Sequence, residues 1–161
     1  MLVPSSTQSI SQAELVKLCA VDNELYALTF FPQTFRQASP AFAREMWEPM
    51  EDPSVRLVNI VAFRGSSKTS RARIFASKRI AYGISRTILY VGVSQEKAVQ
   101  SVSWIRNRVD RNKLWRETFG LSRGSKWEET SCEIEHGLFG HTIRVLGSGV
   151  TGSLRGINFD D

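Results

Sequence analysis

Apolar residues recur at Ala98, Val102, Ile105 and Val109. These spacings of four, three and four line one face of an α-helix. Ser94 precedes that helix and is suited to cap it. Helical signals also dominate the first ~60 residues. Ser11-Gln-Ala-Glu14 fits a capping box that opens a helix running to about Cys19. A second helix over Asp22–Phe31 should end at Pro32, which forces extended geometry on the residue before it. A third is expected from Ser39 as N-cap and Pro40 at the first helical position, carrying Phe42, Met46 and Trp47 to about Met50.

At Val55 the pattern changes. Val55–Ala62 is a short β-branched apolar run that reads as a buried strand. A loop follows, then a helix from Ser70 to about Gly83 whose Ala72, Phe75, Ala76 and Ile80 can share a buried face. Thr87–Val93 reads as a second apolar strand. Strand, loop, helix, strand, helix calls for a parallel sheet with right-handed crossovers. Further on, Cys132 and Ile134 alternate with Glu133 and Glu135, and Ile143 and Val145 with Thr142 and Arg144. With His136–Gly140 as a glycine-bounded turn, these segments predict a hairpin. Glu128, Glu129, Glu133 and Glu135 then fall on its outer face. Residues 147–156, rich in glycine, read as a mobile or ligand-contacting loop. The organisation expected is one compact domain: a helical region over 1–54 and an α/β core over 55–161.

Charge sharpens this picture. The chain carries a net +5, but residues 64–126 hold 15 Lys/Arg against 3 Asp/Glu, a local +12, while the remainder is −7. A basic block of this kind suits a polyanion or forms solvated helix faces. Trp104, Trp115 and Trp127 lie among its arginines, placed either to stack on bases or to serve as core. No apolar run approaches the ~20 residues needed to span a bilayer, and the N-terminus lacks the pattern of a secretory signal. Cys19 and Cys132 lack a CxxC spacing and read as reduced, cytoplasmic thiols. His136 and His141 lie near no cysteine pair, which argues against a metal site there.

The candidate chemistry lies in Phe63-Arg-Gly-Ser-Ser-Lys-Thr-Ser70. The common phosphate loop has the form G-x-x-x-x-G-K-[ST]. Here Ala62 stands at the first glycine and Ser67 at the second. The expected strand and helix on either side nevertheless supply the required context, because a helix N-terminus points free N–H groups and a positive dipole at a phosphate. Lys68 would meet the β- and γ-phosphates, and Thr69 would offer a hydroxyl to Mg²⁺. Gly65, Ser66, Ser67 and Ser70 complete the phosphate-binding set. Arg64 is either a surface charge or a group that reaches the γ-phosphate. If Ser67 must adopt positive φ, serine is less comfortable there than glycine.

Arg64–Thr69 resembles the deviant Walker A loop of the large terminase subunits of tailed bacteriophages. Ile88–Ala98 is similar to that family's second strand and following helix, and Leu114–Gly120 to the segment after it. Ile143–Gly149 with Leu154-Arg-Gly156 resembles the strand and Arg-Gly loop ahead of the Walker B strand. Phe31–Phe35 and the helix from Ser39 to Met50 look like the region that closes over adenine. The resemblance spans most of residues 25–161. It implies a P-loop NTPase-like parallel sheet flanked by helices, and an ATPase that drives double-stranded DNA into a capsid. It further implies ATP and Mg²⁺ as ligands, Arg64 and Lys68 as catalytic groups, and Gln33 or Gln37 on the adenine side. Its implied partners are a portal protein, a small terminase subunit and further copies in a ring, docked on the procapsid in the host cytoplasm. Asp160 and Asp161 read as loop residues before a missing Walker B strand, or else as its acids, and the family's nuclease is not expected in this chain. The alternatives are another P-loop translocase, such as a helicase-like motor, and a non-catalytic fragment that binds DNA or a partner.

Overall fold

The computed structural model describes residues 10–150. Its first helix, α1 (Gln12–Val21), opens with the expected capping box: Ser11 Oγ accepts from the Glu14 N–H, and the Glu14 carboxylate accepts from Ser11 N–H at 2.9 Å. Asp22 caps α2 (Asn23–Phe30), its carboxylate accepting from the Leu25 N–H at 2.9 Å. The third expected helix is broken into α3 (Ala41–Arg44) and α4 (Glu48–Glu51). Ser39 caps neither of them. Its N–H donates to Glu24 and its hydroxyl accepts from the Arg71 guanidinium, so tertiary partners have taken the polar groups that a cap needs.

The main framework follows. Helix α5 (Lys68–Ala81) leads to β1 (Thr87–Gly92), α6 (Gln95–Arg111), α7 (Lys113–Phe119), β2 (Leu121–Trp127), β3 (Ser131–His136) and β4 (His141–Gly149). Ser94 caps α6 as expected, and Ala98, Val102, Ile105 and Val109 are all buried. On α5, Ala76 and Ile80 are buried while Ala72 and Phe75 are only half-buried; Ile74, Ser77 and Ala81 complete the inward face. Two elements had weaker signals. Helix α7 lies between the Asn112 cap and Gly120, which takes the left-handed conformation (φ 62°) at its end. Strand β2 alternates poorly because serine, arginine and lysine occupy much of its length.

The sheet corrects the expected topology. Its order is β1-β4-β3-β2, and only β1 and β4 run parallel. β2, β3 and β4 follow one another through short turns, and a short turn can join only antiparallel neighbours. The predicted hairpin is β3–β4, with Cys132 opposite Val145 and Ile134 opposite Ile143. Gly147–Gly149, assigned from sequence to a loop, instead extend β4. A Cβ at Gly147 would lie 2.9 Å from Val102 and 3.2 Å from the Ala98 backbone, so glycine lets α6 pack closely on the strand. Residues 151–156, the rest of that predicted loop, lie outside the described residues.

The second correction concerns Val55–Ala62, which forms no strand. Leu57 and Val61 are 87% and 90% exposed. β-branched residues favour extended backbone, but a strand exists only where another strand completes its hydrogen-bond ladder. Among the described residues, none does so for this segment.

One apolar cluster joins the N-terminal helices to the sheet, from Cys19, Tyr26, Phe31 and Trp47 through Ile74 and Ile105 to Ile134 and Val145. Both cysteines are buried free thiols, and burial pushes the Cys132 thiol up to about 12. Among the described residues no helix is long and apolar enough to cross a membrane.

His136, at the end of β3, is buried, and its Nε2–H donates to the Ala81 carbonyl at 2.9 Å, joining the hairpin to the end of α5. Desolvation pulls its pKa below the ordinary histidine value, so the unfolded chain binds more protons than the folded one as pH falls. Stability is therefore fully present above the unfolded value of roughly 6.5 and declines as pH drops below it. The urea midpoint should fall between pH 7.5 and 5.5. His136→Gln should flatten that part of the profile.

Candidate phosphate-binding loop

Residues 62–70 turn the chain into α5. Gly65 has φ 93°, which L side chains rarely adopt, and nothing lies within 4 Å of where its Cβ would be. Its requirement is thus one of backbone conformation rather than space. Ser67, the N-cap of α5, lies in the left-handed region at φ 64° and ψ 19°; it is the one non-glycine residue with positive φ among those described. The position that common phosphate loops fill with glycine therefore has the glycine conformation here, held by a serine. A left-handed L-residue costs about 1–2 kcal/mol. Ser67→Gly should accordingly raise stability by about 1 kcal/mol and Tm by roughly 2–4 °C in a chain of this size, as thermal unfolding would register.

Ser67 places no side-chain cap on the helix. The N–H groups of the first turn have no intrahelical acceptor, and the dipole of a 14-residue helix adds partial positive charge at the same end. The Lys68 side chain arches back over the loop. Its Nζ donates to the carbonyls of Ala62 at 2.5 Å and Phe63 at 2.8 Å, and to Ser66 Oγ at 3.2 Å. All three acceptors are neutral. The ion pairs among the described residues use Glu51, Asp110, Glu117 and Glu128, and none involves Lys68. Among the described residues, an ammonium and an uncapped helix end thus meet without a counter-charge. These contacts also hold the preceding segment in place of the expected strand, helped by packing of the Phe42 and Phe63 rings at 5.6 Å.

The other loop residues divide by exposure. Ser66 is buried and serves Lys68, whereas Arg64, Gly65, Ser67 and Thr69 are exposed and Ser70 is half-buried. Arg64 makes no hydrogen bond or ion pair to a described residue. Thr69 presents one exposed hydroxyl at the start of α5. The described residues contain no group of three or more His, Cys, Asp or Glu side chains able to hold a metal ion, and Asp160 and Asp161 lie outside them.

One turn further along α5, Arg71 is buried, with its guanidinium 4.4 Å from the Trp47 ring centroid and donating to Ser39 Oγ at 2.7 Å. Trp47 Nε1–H in turn donates to the Arg71 carbonyl at 3.2 Å. Sequence reading overlooked Arg71; its only signal was a charged residue on the helix face that also carries Ile74. It fastens the N-terminal helices to the start of α5, near the loop. Of the two glutamines considered for an adenine, Gln37 precedes this anchored Ser39. Gln33 instead lines a cleft with the last turns of α6 and the start of α7. Both glutamines are exposed.

Of the three tryptophans in the basic block, one is buried in the core and two, Trp104 and Trp127, are half-buried against it. Trp115 is fully buried and bonded to Tyr26, Trp104 stacks on Phe31 at 5.4 Å, and Trp127 lies beneath Arg106 and Arg123. No family model, curated protein or solved structure matches the chain.

Proposed function

We propose that the loop at 62–70 binds the triphosphate of ATP. On this reading the chain is the ATP-binding part of a viral DNA-packaging motor of the large-terminase type, coupling ATP hydrolysis to translocation of double-stranded DNA. The observation that carries the nucleotide site is the convergence of an uncapped helix N-terminus, a left-handed residue before the lysine and a Lys68 ammonium whose partners among the described residues are all neutral. A phosphate supplies what that arrangement lacks, a dispersed negative charge with several acceptor oxygens.

In the proposed complex Lys68 exchanges its carbonyl contacts for β- and γ-phosphate oxygens. The N–H groups of the first turn of α5 donate to the same phosphates, Arg64 reaches in from the exposed side, and Thr69 holds Mg²⁺. Bound Mg²⁺ would neutralise charge on the triphosphate. No described carboxylate bonds the loop. The portal protein, the small terminase subunit and the ring of copies belong to the same proposal. Calorimetric titration of the chain and of Lys68→Ala with ATP·Mg²⁺ tests the nucleotide site.

A further inference from the structure

A cleft of about 560 Å³ lies where the last turns of α6 meet the start of α7 and the chain leaving α2. Its charged lining is Arg108, Arg111 and Lys113, with the amides of Gln33 and Asn107 beside them and no Asp or Glu. It is separate from the Lys68 loop. Helix α6 starts at the carboxyl ends of β1 and β4, where Gln95 bonds Gly147 and Gly149, and its 17 residues carry the cleft about 20 Å away from those ends.

The cleft is built to attract an anion and has none of its own. Arg108 stands 5.0 Å from the Trp104 ring centroid, its Nε is buried without a hydrogen-bond partner, and burial lowers its pKa. A guanidinium held there is short of an acceptor. Among the described residues the exposed Arg111 has no hydrogen-bond or ion-pair partner, and Lys113 has a loose 3.8 Å contact with the exposed Glu117. Trp104 is already engaged by Phe31 and Arg108, so base stacking is not the feature that recommends this cleft. Its chemistry is cationic, with amide donors added. The stretch of chain that builds the cleft is basic well beyond its lining: residues 64–126 contain 15 Lys/Arg against 3 Asp/Glu. A basic block of that extent fits a polymer better than a small anion.

We infer that this cleft seats the phosphodiester backbone of a DNA duplex through Arg108, Arg111 and Lys113. The inference rests on the DNA half of the proposed function and is independent of the Lys68 loop. Phosphate contacts position a duplex without reading its bases, so binding here is insensitive to sequence.

The test is fluorescence anisotropy of a labelled 20-base-pair duplex with the whole chain, measured over a range of salt. Arg111→Glu/Lys113→Glu changes two exposed side chains and keeps Arg108 packing intact. It should weaken binding at least tenfold and reduce the salt slope by about two, since each neutralised phosphate contributes roughly 0.9 to it. ATP·Mg²⁺ binding should be unchanged by the double variant. Lys17→Glu, on the exposed side of α1, should lose less than threefold in DNA affinity. If the double variant keeps the parent's affinity and slope, the cleft is not the DNA seat, although the motor reading stands. If the unaltered chain binds no duplex, both fail. Displacement of the duplex by stoichiometric binding of pyrophosphate would make this a small-anion site and overturn the inference.

Discussion

Lys68→Ala is expected to abolish measurable ATP·Mg²⁺ binding by the isolated chain. Among the described residues the ammonium is the one side-chain cation bonded to the loop, with contacts of 2.5 to 3.2 Å to Ala62, Phe63 and Ser66. Charge-assisted hydrogen bonds contribute about 1.5–3 kcal/mol each. Losing one of them weakens binding by roughly 10- to 100-fold, and losing two by up to roughly 10⁴-fold. Lys68→Arg should recover little, because a planar fork does not fit where a compact ammonium sits. Unfolding by urea separates loss of the site from loss of the fold: the alanine variant gives up three hydrogen bonds, one of them to the buried Ser66, and should keep a cooperative transition with a stability loss of about 1–2 kcal/mol. Equal nucleotide affinity in both proteins would rule out the phosphate loop and favour the non-catalytic DNA- or partner-binding reading.

The largest stability effect is expected at Trp115. Its side chain is fully buried between α7 and α2, 5.6 Å from the Phe31 ring. It also starts a chain of hydrogen bonds across three helices. Trp115 Nε1–H donates to Tyr26 Oη at 2.8 Å, Tyr26 O–H to Ser77 Oγ at 3.3 Å, and Ser77 O–H to the Ile74 carbonyl at 2.7 Å. Burial raises the Tyr26 phenol far above its ordinary pKa, so it stays protonated and able to donate. Trp115→Ala removes the ring, leaves a cavity and should cost about 3–5 kcal/mol, lowering Tm by roughly 10 °C. Trp115→Phe keeps much of the ring volume but deletes the first donor. It should cost about 1–2 kcal/mol, since Tyr26 retains Ser77 as its acceptor. Urea unfolding followed by circular dichroism measures both. If Trp115→Ala cost under 1 kcal/mol, the three-helix contact would not be a support of the core.

The local elements were legible where short-range chemistry suffices. Ser11 with Glu14, Asp22 and Ser94 determined three helix starts, because a side chain can satisfy an N–H three residues away whatever the rest of the chain does. The spacing from Ala98 to Val109 determined the buried face of α6, and the alternation at 132–134 and 143–145 the hairpin. The positive φ of Ser67 was also open to reading, since it follows from a few consecutive positions. Tertiary structure decided the rest. Ser39 lost its capping role because Glu24 and Arg71 compete for it, and both come from distant sequence. Val55–Ala62 carries strand-like residues but acquires no ladder partner, a property no segment holds by itself. The sheet is mostly antiparallel because short turns join its last three strands, while β1 meets β4 only after a long crossover. The cationic cleft likewise needs α6, α7 and the end of α2 to meet. Sequence dictates what a residue can do over one helical turn, and packing chooses which of its possible partners it receives.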